Sequence, residues 1–563
     1  MNHSRWNLLP PAPCEHLRGV PGFSPLLAQL LYNRGLTEAA QLEPFMAADG
    51  RLSYNPLRLP GMAQAVSRIY RALLSGENMA IYGDFDTDGI TATALLCQGL
   101  SGLGAKVTPY IPHRVNEGHG LRTGALERLY EQGISLIITV DCGITGVAEV
   151  KRARRLGIDI VITDHHTPLD EIPQAMAVVN PKLPGSEYPF SELAGVGVAF
   201  KLLEALLKSL GKEETLGKFL DLVALGTVAD IMPLVSENRY LVKQGLKLLN
   251  TSPRPGIKEM MTQAGLSAGK LDTESISWVI APRLNTTGRL EHALPSYQLL
   301  VTESADEAAK LSRWLEEQNA ERQRLTSEAV SSARERILAE GVSPILIVGD
   351  EGYHAGIVGL AAGRLAEEFY RPAVVIKTGK LVSSGSCRSI PEFNIIRALN
   401  QCAHFFSRFG GHPQAAGFTL PTKKLPGLKK ALLELATAEL AGLDLRPRLD
   451  IDAEIRLREL GGNTFTTLQK LAPFGYGNPS PAFLSRKVEV LDCRLIGANG
   501  GHLKLKLRQD GVVWDGVAFG AGDYRKEIVS PLDIVYNLEI DEWCGLERLR
   551  LNLLDFAPPA ASR

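Results

Sequence analysis

The sequence predicts an α/β protein with two α/β lobes joined by a long helix and followed by a small β-barrel. Three observations lead there. From about residue 78 to 232, short apolar runs rich in β-branched residues alternate with helical stretches. Residues 304–340 place apolar side chains at helical spacings amid many charges. Beyond residue 446 come short alternating strands with few helical runs. At 563 residues the chain exceeds what one hydrophobic core can hold, and 45% hydrophobic against 22% charged residues is the balance of a folded chain rather than a disordered one.

Taken in order, residues 1–50 form an N-terminal region with neither a basic start and apolar h-region nor a small-residue cleavage site. No uncharged apolar run is long enough to span a bilayer, so a cytoplasmic protein with no membrane contact is expected. In the first lobe, residues 51–303, the runs NMAIYGDFD, LIITVDCG, IDIVITDHH and, less clearly, LVALGTVAD read as parallel strands buried on both faces. The joining helix, 304–340, aligns Ala308, Leu311, Leu315, Ala329, Ala333 and Ile337. The second lobe, 341–440, runs strand PILIVGD, helix GIVGLAAGRLAEEF, strand PAVVIKTG. Residues 447–556 contain LDIDAEI, KVEVLDCRLIG, HLKLKLRQ and VVWDGVAFG, the texture of a small barrel. Seven scattered cysteines without a CxxC pair argue against a disulfide framework or a structural zinc site.

The net charge of −1 makes the whole molecule no magnet for nucleic acid, but one stretch is different. Between Arg371 and Lys424 there are eight Lys or Arg and a single acid, Glu392. A phosphate-bearing partner would be drawn to that stretch.

The chemistry concentrates at strand ends. Asp84, Asp86 and Asp88 stand two residues apart in GDFDTDG, between a strand and the helix ITATALLCQGL, where three carboxylates can converge on hard cations. An EF-hand would open similarly, but its twelfth position here is Leu95 and the loop follows a strand. Asp141 ends LIITVD, Asp164, His165 and His166 end IDIVITDHH, and Asp230 ends LVALGTVAD. Carboxyl ends of parallel strands share one edge, where ligands bind. Many carboxylates, one or two imidazoles and no thiolate favour Mn²⁺ or Mg²⁺, and the number of ligands allows two ions. Such a pair suits in-line displacement at phosphorus, so phosphoester or phosphoanhydride hydrolysis is the expected reaction class.

Asp164-His165-His166 with GDFDTDG upstream resembles the DHH phosphoesterase superfamily. The resemblance implies Asp86, Asp88, Asp141, His165 and Asp230 as ligands of a two-metal centre, with Asp84 and His166 as ligands or contacts to the scissile phosphate. It implies a catalytic set of His165, His166 and Asp164, the last orienting its neighbours. The superfamily's variant with histidine at the start of the first motif would place it where Tyr82 stands.

In the second lobe, Gly385-Ser386-Cys387-Arg388-Ser389 after a strand, and Gly410-Gly411-His412-Pro413-Gln414-Ala415-Ala416-Gly417, could each be only a turn. Together they resemble the DHHA1 domain, which implies Ser386, Arg388 and His412 as phosphate-side contacts. Further segments look like the RecJ family: Ile111 to Arg114, Glu117 to Leu121, Leu193 to Ala199, Pro282 to Asn285 with Gly288-Arg289, His354 to Gly359, and Leu471 to Gly475 with Gly477 to Pro479. The likeness runs from about residue 20 to 555. It implies a 5′ to 3′ exonuclease on single-stranded DNA that releases mononucleotides during repair and recombination, with an OB-fold as the last region. Arg114, Arg283, Arg289 and His354 join the substrate-binding set, although Arg289-Leu290-Glu291 could equally form a surface ion pair. His119, where many relatives carry tyrosine, is expected to leave the metal site untouched. The final region holds 11 basic and 12 acidic residues from 484 onward, so charge alone does not make it a DNA-binding module. The family implies a single-strand-binding protein and a helicase as partners. The competing readings are a phosphodiesterase for short oligoribonucleotides or cyclic dinucleotides, and a scaffold such as Cdc45, which lacks an intact metal set.

Overall fold

The apolar runs of the first lobe fold into a five-stranded parallel sheet. Asn78–Tyr82, Leu136–Val140 and Asp159–Thr163 lie side by side, with Lys106–Tyr110 at one edge and Ala177–Val179 at the other. The structure, a computed structural model, describes residues 3–13, 23–114, 116–497, 499–543 and 546–559. The chain divides into two units, residues 43–323 with 473–479, and residues 1–42 with 324–472 and 480–563.

Why the three central strands are predominantly apolar on both faces is visible in the packing of the first unit. Met79, Ile81, Leu136, Ile138, Val140 and Val161 enter the core on one face, while Ala80, Tyr82, Ile137, Ile160 and Ile162 enter that on the other. Successive strand residues point to opposite faces, so only a sheet covered on both sides makes every position apolar. Helices Thr87–Ser101 and Gly195–Ser209 supply one cover, Thr123–Glu131 and Val147–Leu156 the other. Each fully buried leucine or isoleucine stabilises by about 1.5–3 kcal/mol relative to exposure. Pro109 is tolerated because its strand is an edge strand, whose outer side needs no donor.

LVALGTVAD departs from expectation: Leu220–Ala229 is a helix, capped by Asp230, and not a strand. Every residue from Asp221 to Val228 is buried. With no solvent face the helix leaves no 3.6-residue pattern to read, and an all-apolar run does not distinguish buried helix from buried strand. Asp230 therefore reaches the sheet edge from a helix C-terminus.

The long helix is Ala305–Glu340, 36 residues, with Ala308, Leu315, Ala329, Ala333 and Ile337 buried as the spacing predicts. In the other unit, Leu346–Asp350 pairs parallel with Ala373–Lys377, followed by antiparallel strands Val382–Arg388, Ala415–Pro421 and Arg408–His412. GSCRS does not follow a strand: Gly385 to Arg388 lie within one. Serine and glycine hide that strand from propensity, because only alternate residues, Ser383, Gly385 and Cys387, face the core. The C-terminal strands Phe483–Ile496, His502–Gln509, Val512–Ala518, Leu546–Ala557 and Leu532–Trp543 close into a barrel, the last pairing back with the first. The N-terminal strand Arg5–Leu8 pairs parallel with Arg448–Ile451. Cys14 and Cys544 lie outside the described residues; the five described cysteines are free thiols. Among the described residues no helix is long and apolar enough to cross a membrane.

Candidate metal centre

The carboxyl ends of the central strands and the end of helix Leu220–Ala229 bring the predicted ligands of the first unit together. Three overlapping groups, Asp84 with Asp86 and Asp141, Asp141 with His165 and His166, and Asp88 with His165 and Asp230, each place one ligand atom per residue within 4.8 Å of the others. Asp141 and His165 each belong to two of the groups.

Local backbone explains the convergence. Asp86 caps helix Thr87–Ser101, accepting from the Gly89 amide at 3.1 Å. Asp88, in the first turn, crosses to the N-terminus of helix Gly195–Ser209 and accepts from the amides of Gly195 at 2.6 Å and Val196 at 2.8 Å. A helix N-terminus favours negative charge, which fixes this carboxylate. The glycine at 195 is required by contact: a Cβ there would lie 2.5 Å from the Asp141 Cβ. Asp141 itself has φ of +57°, the left-handed turn that swings its side chain off the strand end. Asn285 accepts from the Thr87 amide at 2.8 Å and braces the loop from the helix Ala281–Leu290.

Asp164 spends its oxygens on its surroundings. It accepts from the amides of Ile144 (2.9 Å), His165 (2.7 Å) and His166 (3.0 Å), and from His166 Nδ1 at 2.8 Å. Asp141 Oδ1, Asp84 Oδ1 and His165 Nε2 are buried with no aligned hydrogen-bond partner. His165 Nε2 lies 3.1 Å from Asp141 Oδ1 and 3.5 Å from Asp230 Oδ2, close but not aligned. Orphaned buried acceptors facing one another are costly unless a cation satisfies them. The donor set, oxygen with imidazole and no thiolate, fits Mn²⁺ or Mg²⁺.

The electrostatics carry the same signature. Burial, then neighbouring carboxylates, push Asp88 up to about 7 and Asp230 up to about 8, and hold Asp141 well above the ordinary range. Asp86 is raised by burial and by Asp84. Burial lowers His165 to about 3, so its imidazole is neutral and available as a ligand. Asp164 stays below its usual value despite burial, because of its hydrogen bonds from His166. His166, despite its own desolvation, is raised to about 9 by Asp164.

The substrate-binding candidates fall in two places. Arg114 sits beside the first unit's carboxylates, its guanidinium 4.9 Å from the Phe85 ring centre, lowered by burial while Asp86 and Asp84 pull it up. Arg283 is held in a two-bond ion pair with Glu316, at 2.5 and 3.1 Å, and Arg289 lies in the last turn of the helix that packs Gly288 onto Phe85. In the other unit, Ser386 and Arg388 share one face of their strand, 3.3 Å apart. His412 stands opposite Ala415, which stands opposite Arg388, so these side chains align across the sheet on that face. His354 is exposed at the turn before helix Val358–Phe369, whose Gly359 comes against Ser386.

Expectation fails at His119. Its Nδ1 lies 3.0 Å from Asp84 Oδ2 and its ring packs 4.2 Å from that of Phe85, so this residue does touch a candidate metal ligand. The roles of Gly195, Val196 and Asn285 were also unassigned by sequence, although the segments that contain them stood out.

Family models match at residues 78–227 (DHH family, N-terminal domain), 338–438 (DHHA1 domain) and 451–555 (RecJ OB domain). The chain is 39% identical to the single-stranded-DNA-specific exonuclease RecJ of Bacillus subtilis, covering 95% of this chain and 68% of that protein. With the Escherichia coli K12 protein of the same name the figures are 33%, 94% and 95%. The crystal structure of Thermus thermophilus RecJ in complex with Mn²⁺ superposes with a TM-score of 0.85 at 30% identity, covering 99% of this chain and 80% of that one.

Proposed function

Because this chain belongs to the RecJ family of single-stranded-DNA-specific exonucleases, we propose that its buried aspartate–histidine centre hydrolyses phosphodiesters of single-stranded DNA from the 5′ end, releasing mononucleotides. The observation that carries this reading is the convergence of carboxylate and imidazole ligand atoms from four chain segments, those of Asp84, Asp141 and His165 including buried unsatisfied ones, in a chain that matches these exonucleases over nearly its whole length.

Asp84, Asp86, Asp88, Asp141, His165 and Asp230 are the residues that would hold Mn²⁺ or Mg²⁺, and their number accommodates two ions. Bound there, the ions supply Lewis-acid charge at phosphorus and a more acidic water. The protein's own contribution is placement. The helix N-terminus at Gly195 locks Asp88, and Asp164 locks His166 through Nδ1, leaving its other nitrogen for a phosphate oxygen. His166, held by Asp164 at 2.8 Å, is placed to donate to the phosphate oxygens on which dianionic character develops as water attacks in line with the leaving oxygen. Arg114, half-buried beside the carboxylates, is placed to hold the strand's terminal phosphate, while Ser386, Arg388, His412 and His354 form a second phosphate grip.

In this reading residues 51–303 carry the chemistry, 341–440 grip phosphates and 447–556 hold the strand beyond. The work is placed in the cytoplasm, in repair and recombination, with a single-strand-binding protein and a helicase as partner classes. The test uses single strands labelled at either end, a dinucleotide and a cyclic dinucleotide, each with Mn²⁺, Mg²⁺ or EDTA. Shortening of the single strand from its 5′ end, abolished by EDTA, is expected. Hydrolysis confined to the dinucleotide or cyclic dinucleotide would overturn the reading.

A further inference from the structure

Two large apolar side chains stand in solvent where the protein has most reason to hide them. Ile231 directly follows Asp230 and is 69% exposed; Tyr476 is 66% exposed. Neither is needed for packing. Ile231 has φ of +56°, a conformation in which a β-branched residue is strained. Strain of that kind persists only where the surroundings enforce it, and it clusters at ligand sites.

The turn itself is the left-handed cap of helix Leu220–Ala229, the Ile231 and Met232 amides donating to the Val228 and Thr227 carbonyls at 3.2 Å, and the chain segment of Tyr476 packs on the residues just beyond it. The Leu234 amide donates to the Tyr476 carbonyl at 2.7 Å. Gly475 and Gly477, with φ of +158° and +75°, come so close to Leu234 and Pro233 that a Cβ would lie 2.7 and 2.8 Å from them. Thr273 Oγ1 anchors the Phe474 carbonyl at 2.6 Å, and Asn478 closes the loop on the Pro473 carbonyl at 2.8 Å. The loop is thus held by its backbone, while its tyrosine ring is left outside. Leu234 is four positions beyond Asp230, at most roughly 14 Å of extended chain, so the Tyr476 backbone docks within a few nucleotide lengths of the carboxylate.

Resting on the exonuclease reading above, we propose that Ile231 and Tyr476 form an apolar ledge beside the metal centre on which a nucleobase of the single-stranded substrate stacks, positioning the adjacent phosphodiester. The occupant is a base because the ledge borders a centre that acts on the phosphates of an unpaired strand, whose exposed partner surface is the π-face of its bases. Aromatic stacking accepts every base and therefore suits an enzyme that must remove nucleotides regardless of sequence. The ledge requires an unpaired base, so it discriminates against duplex without reading sequence. Ile231 and Tyr476 are positioning residues; they touch the strand and leave hydrolysis to the aspartates and histidines.

The test pairs protein variants with substrate variants. Single strands carrying one abasic nucleotide at successive positions from the 5′ end are digested by the full-length protein in Mn²⁺, and kcat/KM is measured for each removal step. For the unmodified protein one step should slow by roughly 5- to 150-fold, the range expected when one base no longer stacks. Tyr476→Ala should show a similar loss on intact DNA and no further loss on the abasic strand, whereas Tyr476→Phe should behave as the parent. Ile231→Gly accepts the positive φ without strain, so its thermal stability and Mn²⁺ affinity by calorimetry should be equal or higher while strand use falls. A Tyr476→Ala protein that keeps the parent's abasic penalty, or an Ile231→Gly protein with undiminished kcat/KM, would overturn the ledge while leaving the exonuclease reading intact. Absence of any shortening of intact single strands by the unmodified protein would instead overturn the reading on which it rests.

Discussion

Replacing Asp141 by asparagine should inactivate the protein and, without metal, stabilise it. The substitution is nearly isosteric, and asparagine tolerates the φ of +57° at this position, so the backbone has no reason to move. Asp141 belongs to two of the three ligand groups, so its loss weakens the whole centre. Loss of several kcal/mol of transition-state stabilisation corresponds to about 10³-fold or more in turnover. The stability effect has the opposite sign. Ligand atoms of the centre lie within 4.8 Å of one another. Two unit charges at about 4.8 Å repel by about 3.5 kcal/mol in an effective dielectric near 20. Protonation relieves part of this, leaving a gain of about 1–3 kcal/mol for the variant, or several degrees in melting temperature. The pH dependence follows from the raised value of Asp141. A carboxyl raised in the folded state contributes stability that is complete below its unfolded value near 4 and is lost as pH climbs through the folded value. The parent therefore weakens with rising pH in EDTA, and the variant's advantage should be small at pH 4 and larger at pH 8. Calorimetry in EDTA at several pH values, with single-turnover digestion in Mn²⁺, measures both. A variant less stable than the parent at pH 8, or one within tenfold of its turnover, would refute the argument.

Three further outcomes are expected. Arg388→Ala removes a charge-assisted phosphate interaction of about 1.5–3 kcal/mol, so kcat/KM for single strands should fall roughly 10- to 150-fold, mainly through KM; unchanged steady-state kinetics would remove Arg388 from the grip. Neutralising Lys377, Arg388 and Arg408 should flatten the dependence of log Kd on log salt by about 0.7 for each strand phosphate left without its cation, measured by anisotropy in the Asp141→Asn background; an unchanged slope would place the strand elsewhere. Lys201→Ala leaves the buried Glu237, now 2.9 Å from its Nζ, without its cation, and Glu204, now 2.6 Å from it, with Lys208 alone. It should cost about 3–5 kcal/mol in calorimetry, and a loss under about 1 kcal/mol would mean that the cluster neutralises itself by protonation.

The parallel strands were readable because burial on both faces leaves runs such as LIITV with no charged residue and a single threonine, and their ends announced Asp141 and His165. The same uniformity concealed the helix Leu220–Ala229, since a run buried on every side has no period. Lys106–Tyr110 was missed because an edge strand with a proline and partly exposed residues lacks that signature. Pairing of Arg5–Leu8 with Arg448–Ile451 joins segments more than four hundred residues apart, and no local pattern encodes such a partner. The candidate metal ligands were legible as residue types at the ends of apolar runs, Asp230 at a helix end and the others after strands; what holds them was not. Asp88 depends on amides at 195 and 196, and Asp84 on His119, contacts that arise only when loops distant in sequence meet.

The loop Pro473–Pro479 gives the order of synthesis a chemical meaning. It belongs to the same unit as the aspartates, yet it is translated after the long helix and the second sheet. Chains generally fold as they emerge, N-terminal units first. Here one contact of the N-terminal half must wait: until Tyr476 has been made, the Leu234 amide, four positions beyond Asp230, lacks the carbonyl that accepts from it. A nascent chain thus carries all the candidate ligands well before it carries every contact of the unit that holds them. The same wiring means that a chain cut at residue 445 loses more than a barrel; it also loses the prop beneath Leu234.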